Sequence, residues 1–143
     1  MKYSLPLLVA SDHAGFSLKQ LLQQHRPRLL WRDLGAFSED RTDYPDWAEK
    51  LSVQMQKNLF GVLICGTGQG MCMKANKTSP LIRAALCWNK DISKLARSHN
   101  DANVLCLPGR FLSLSAALEI LDAFLKTPFD NNPIYQKRVE KIK

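Results

Sequence analysis

Residues 63–70 read Leu63-Ile64-Cys65-Gly66-Thr67-Gly68-Gln69-Gly70, an apolar run that breaks directly into alternating glycines. From Val62 to Cys65 the run is continuous rather than alternating, the pattern of a strand buried on both faces. Runs of the same kind recur at 7–10, 29–34, 84–87 and 104–107. Between them the apolar spacing changes to three and four, the period of a helix: Leu18, Leu21 and Leu22, then Trp47, Leu51 and Met55, then Ile92, Leu95 and Ala96, then Leu114, Ala117, Leu118, Leu121 and Leu125. Strand and helix patterns therefore alternate, which argues for βαβ units around a parallel sheet of five strands. Sheets of this kind carry ligand sites outside the carboxyl ends of their strands, so functional residues are sought just after each run.

The chain has 143 residues, 45% of them hydrophobic, enough for one domain with a core of its own. No repeat, low-complexity segment or linker divides it, and residues 1–143 are read as a single domain. Asn132 before Pro133 has the form of an N-cap followed by proline at the first helical position, which predicts a last helix from Ile134 toward Ile142. The apolar run near the N-terminus meets Asp12 and His13 too soon for a signal segment or a membrane span, so a cytoplasmic location is expected. Cysteines 65, 72, 87 and 106 form no C-x-x-C pair and are expected as free thiols.

A net charge of +7 favours anionic partners. The basic residues are scattered, their densest group being Lys137, Arg138, Lys141 and Lys143, which a solvated helix face accounts for. Charge alone does not choose among nucleic acid, a membrane surface and a small phosphorylated metabolite. No helix-turn-helix, zinc-finger spacing or aromatic-rich basic strand accompanies the charge, so nucleic acid is not the expected partner, and with no apolar run long enough to span, no membrane partner is expected.

Two unusual segments fall where the strand scheme places ligand sites. Asp12-His13-Ala14-Gly15 follows the first run and the glycine segment follows the third. Glycines at 66, 68 and 70 let backbone amides converge on an anion, with a helix N-terminus behind them. The spacing satisfies neither G-x-G-x-x-G nor the Walker pattern, and a plain strand-to-helix turn would look the same. Cys65 separates the readings. Amide dipoles and a helix N-terminus are expected to lower its pKa and make it a usable base or nucleophile, whereas Cys72, Cys87 and Cys106 read as small hydrophobes.

Other candidates have a duller account beside the functional one. His99-Asn100-Asp101 stands where a helix should end, with Asn100 suited to a left-handed C-cap. His13 either bonds nearby backbone or contacts an anion or hydroxyl. Arg110, after the fifth run, either grips a phosphate or forms a surface salt bridge. Asp43-Tyr44-Pro45 reads first as a turn.

Taken together, DHAG at 12–15, RTDYP at 41–45, LICGTGQG at 63–70, ANK at 75–77, HNDANVL at 99–105 and GR at 109–110 resemble ribose-5-phosphate isomerase type B. The resemblance covers nearly the whole chain in order and spacing. It implies a Rossmann-like three-layer α/β/α sandwich, a homodimer or homotetramer whose active sites are shared between subunits, and no metal or coenzyme. It further implies that ribose 5-phosphate and ribulose 5-phosphate are interconverted within the non-oxidative pentose phosphate pathway. Cys65 would move a proton between C1 and C2, and His99 would help to open the furanose ring with assistance from Asp12. Thr67 and the amides of Gly66, Gly68 and Gly70 would hold the enediolate oxygen. His13, Asn100, Arg110 and Arg138 would contact the sugar phosphate, and Tyr44 would line the pocket.

One departure stands out. The family's Gly-Gly-Arg-His segment, followed by Arg-Val, aligns here with Asn132, Pro133, Ile134 and Tyr135, while Arg138-Val139 is retained. One charged phosphate contact is thereby lost, and Lys137 or Lys141 would replace a planar fork with a mobile point charge. Galactose-6-phosphate isomerase, or another sugar-phosphate isomerase of this fold, is the alternative within the class. A non-catalytic phosphate-binding module is the alternative outside it.

Overall fold

The computed structural model describes residues 4–142. Five strands, β1 (Leu7–Ser11), β2 (Trp31–Asp33), β3 (Phe60–Cys65), β4 (Ala84–Leu86) and β5 (Val104–Pro108), form one sheet in the order β2-β1-β3-β5-β4. Every pairing is parallel. The helices are α1 (Phe16–His25), α2 (Tyr44–Ser52), α3 (Gln69–Thr78), α4 (Lys90–Asn100), α5 (Leu114–Lys126) and α6 (Pro133–Glu140).

Side-chain alternation along the strands produces two cores. Leu7, Val9, Val62, Ile64, Leu105 and Leu107 face α1, α4 and α5, while Leu8, Ala10, Leu63, Cys65, Val104 and Cys106 face α2 and α3. The expected three-layer α/β/α sandwich is the observed one. Crossovers that step one way along the sheet use one face and those that step back use the other, as a single hand of βαβ connection requires. β1 and β3 are adjacent but lead away in opposite directions, so the order reverses between them.

The apolar pattern overstates some elements. The run at 29–34 pairs with β1 only through Trp31, Arg32 and Asp33, because Leu29 belongs to a turn closed on Arg26 and Leu30 is half-exposed. Met55 lies in the turn after α2 rather than on it, although it is buried in the same core. Asp43-Tyr44-Pro45 does more than turn: α2 begins at Tyr44, with the proline in its first turn where no amide donor is missed. At the end of α4 the left-handed residue is Asp101, with φ 47°, and Asn100 is the last helical residue. The carboxylate of Asp101 explains the displacement, since it receives Arg97 at 3.0 Å and Arg83 at 2.9 Å and so stabilises a conformation that sequence assigns to asparagine.

Candidate active site

Open parallel sheets hold ligands where the strand order reverses. Here that crevice lies between the loops that follow β1 and β3, and the loop after β5 adjoins it. Gly15 lets the first two loops touch. A Cβ there would stand 2.1 Å from the carbonyl oxygen of Ile64, so any side chain would push the start of α1 away from β3. The Asp12 amide donates to the same carbonyl at 3.3 Å. Its Oδ1 accepts from the amides of Ala14 at 2.9 Å and Gly15 at 3.1 Å, which closes the loop as an Asx turn. On the other side the Gly109 amide donates to the Cys65 carbonyl at 2.8 Å, and the Arg110 amide donates to that of Gly66 at 3.1 Å.

The glycine segment makes a tight turn into α3, with Gly68 at φ 75° as its N-cap. A side chain at 68 would be strained and would strike Leu86. The exposed Arg110 guanidinium crosses the mouth of the loop, its Nη1 3.3 Å from where a Cβ on Gly66 would sit. No ion pair engages it among the described residues, so a salt bridge does not account for its position. The Tyr44 ring covers Gly70 closely enough to exclude any side chain there. Thr67 is exposed, and its Oγ1 accepts weakly from the Gln69 amide at 3.4 Å. His13 accepts from the Thr42 amide through Nδ1 at 3.2 Å, which leaves Nε2 as the protonated nitrogen of the neutral ring.

Cys65 ends β3 at the floor of this crevice, 4% exposed. Burial raises its thiol pKa, the amides of Met71, Gly68 and Thr67 act to lower it, and the negative charge of Asp12 adds to the rise. The net direction is upward, which corrects the expectation of a lowered value. The dipoles are present, but they do not outweigh desolvation. At neutral pH the free protein therefore carries a thiol at this position.

Asp12, His13, Tyr44, Cys65, Gly66, Thr67, Gly68, Gly70 and Arg110 thus converge. His99, Asn100 and Arg138 do not join them. Helix α4 starts after β4 at the carboxyl edge of the sheet and runs back to the amino edge, and its 11 residues span about 16 Å. His99 and Asn100 consequently sit near the starts of β4 and β5, where Asn100 borders an open cavity of about 390 Å³ with Asn76, Arg83 and Ile142. Helix α6, carrying Arg138, packs on α4 at this same pole. Lys143 lies outside the described residues.

Sequence reasoning passed over two features. Lys19 is fully buried, yet it sits within an apolar stripe where nothing in the spacing distinguishes it. Its Nζ donates to Asp33 at 2.6 Å and to the Ala36 carbonyl at 2.5 Å, and Ala36 is in turn bonded to Ser11, just before Asp12. The other is a stack between His99 and Tyr135, with ring centroids 4.2 Å apart and planes at 22°. Among the described residues no three His, Cys, Asp or Glu side chains gather as a metal site needs, and no helix is long and apolar enough to cross a membrane.

Comparison with known proteins places these features in context. Residues 7–142 match the family described as Ribose/Galactose Isomerase. A protein of Mycoplasma pneumoniae named probable ribose-5-phosphate isomerase B is 44% identical over 99% of this chain and 95% of its own. The crystal structure of ribose 5-phosphate isomerase from Thermotoga maritima superimposes with a TM-score of 0.92 at 43% identity, over 98% of both chains. That of ribose-5-phosphate isomerase B from Mycoplasma genitalium, with bound ribulose 5-phosphate, gives a TM-score of 0.90 at 40% identity over 97% of this chain and 94% of that one.

Proposed function

The chain belongs to the ribose/galactose isomerase family, and on that premise we propose that it is an aldose–ketose isomerase that interconverts ribose 5-phosphate and ribulose 5-phosphate, with Cys65 as its base. The observation that carries the reading is the placement of the Cys65 sulfur under the amides of Thr67, Gly68 and Met71, at the crevice where the strand order reverses. Isomerisation moves a proton from C2 to C1 through an enediolate. It needs a base against the carbon and donors against the oxygen that becomes negative. The thiolate form of Cys65 takes the C2 proton and returns it to C1, the hydroxyl proton passes from O2 to O1, and Thr67 and the amides of Gly66, Gly68 and Gly70 hold the oxygen that is negative in between. The raised pKa fits this role, because a thiolate that is harder to form is also the stronger base toward a carbon acid.

His99 assists ring opening from a second copy of the chain, with Asn100 and Arg138 beside it on the phosphate. The topology supports this division, since one copy holds Cys65 and His99 at opposite edges of its sheet. A homodimer with two composite sites follows. We assign the activity to the cytoplasm and to the non-oxidative pentose phosphate pathway, where this interconversion occurs, and no coenzyme takes part in the steps written here.

The changed phosphate end favours a second reading. Ile134 is 56% exposed on α6 where the family places an arginine, so a phosphate there meets one fork fewer. Galactose 6-phosphate, with one more carbon between carbonyl and phosphate, is the substrate to compare. We expect a higher kcat/KM on ribose 5-phosphate than on galactose 6-phosphate. The reverse order would install the second reading, and no turnover of either sugar would leave a phosphate-binding module. Ile134→Arg should lower KM for ribose 5-phosphate several-fold at constant kcat. An unchanged KM would remove this position from the phosphate site.

A further inference from the structure

His13 and His25 are tied by hydrogen bonds, to the Thr42 amide and to the Leu21 carbonyl. His99 is held differently. Within the described residues its ring is engaged by the near-parallel stack on Tyr135, with centroids 4.2 Å apart, and both nitrogens are left unbonded at the ring's edge. The backbone that carries the tyrosine is itself fixed. The Asp130 amide donates to the carbonyl of Ser98, one residue before His99, at 2.9 Å, and Asn132 caps α6 through the Ile134 amide at 2.9 Å. The platform under His99 is therefore anchored to the turn that carries His99.

Opening a furanose breaks the C1–O4 bond. O4 gains a proton and the hydroxyl on C1 loses one, so no proton is consumed overall. A group serving this exchange must present ring nitrogens edge-on at a fixed angle. A stack that covers one face and leaves the edge free does that, whereas hydrogen bonds to both nitrogens would block them.

We propose that Tyr135 is a positioning residue for His99, acting on ring opening and not on the proton transfer at Cys65. This rests on the isomerase reading above and on His99 serving ring opening within it. It also gives a role to one of the positions at which the chain departs from its family's usual segment: the aromatic surface of Tyr135 carries the function, and its hydroxyl does not.

The test compares Tyr135→Leu with Tyr135→Phe, using ribose 5-phosphate with hydrogen or deuterium at C2. Tyr135 is only half-buried on a surface helix, so both variants should fold, and their melting temperatures check this. Tyr135→Leu is expected to lower kcat about tenfold, the scale of one aromatic pair, while Tyr135→Phe stays within about twofold of wild type. The C2 isotope effect of the Leu variant should be no larger than that of wild type, because slower ring opening masks proton transfer. An unchanged kcat in the Leu variant would overturn the inference. So would an equal loss in the Phe variant, or an isotope effect that grows. Wild type without turnover, or Cys65→Ala with full turnover, would instead reject the reading on which the inference stands, and the inference with it.

Discussion

Burial and backbone amides pull the Cys65 thiol in opposite directions, and burial prevails. Thiolate in the free enzyme is then a minority species at neutral pH, and kcat/KM, which reports the free enzyme, should climb as pH rises from about 7 toward 9. The Asp12 charge contributes to the upward shift, so its removal favours the thiolate and moves the ascending limb to lower pH. Asp12→Asn suits the measurement because an amide oxygen can still accept from Ala14 and Gly15 and keep the loop closed. A limb that stays in place, or moves to higher pH, would show that Asp12 does not act on Cys65 electrostatically. The sign of the Cys65 shift was not legible in the sequence. Glycine amides and a helix start can be read from CGTGQG, but the depth of β3 under α2 and α3 cannot, and depth decides the sign. Lys19 makes the same point, since one buried cation inside an apolar stripe carries no linear signal until Asp33 and Ala36 are placed beside it.

At the scale of elements, the crevice depends on how closely β3 and the start of α1 approach. Gly15 is the pivot, because an added Cβ meets backbone rather than a movable side chain. Gly15→Ala should cost about 1–3 kcal/mol, the usual range for forcing atoms into a packed site. It should also lower kcat by moving Asp12 and His13 away from Cys65. Thermal unfolding beside a ribose 5-phosphate assay checks both, and a variant with wild-type melting and turnover would refute the role given to this contact. The strands themselves were readable because continuous apolar runs have few other uses in a chain of this length. Their ends were less so: the run at 29–34 extends beyond the residues that pair, since β2 is an edge strand and turn residues supply the rest. The left-handed cap fell to Asp101 rather than Asn100 because two arginines outside the motif, Arg97 one helical turn back and Arg83 just before β4, reach its carboxylate.

The whole molecule sets the largest requirement. A parallel sheet with α4 running antiparallel to it separates the residues after β3 from those at the end of α4. The motifs CGTGQG and HNDANVL, both legible in the chain, therefore occupy opposite poles of one copy. If a second copy unites them, chains carrying Cys65→Ala and chains carrying His99→Asn, each inactive alone, should regain about a quarter of wild-type activity when refolded together, since half the dimers are hybrid and each hybrid has one intact site of two. No recovery would place the whole site within one chain. Beneath all of these lies the assignment of the base, and its most direct test is kcat for ribulose 5-phosphate formation by Cys65→Ala. A fall of about 10²- to 10⁴-fold is predicted, with substrate binding nearly unchanged because the anion cradle we propose is built from backbone. A kcat close to that of wild type would contradict the assignment.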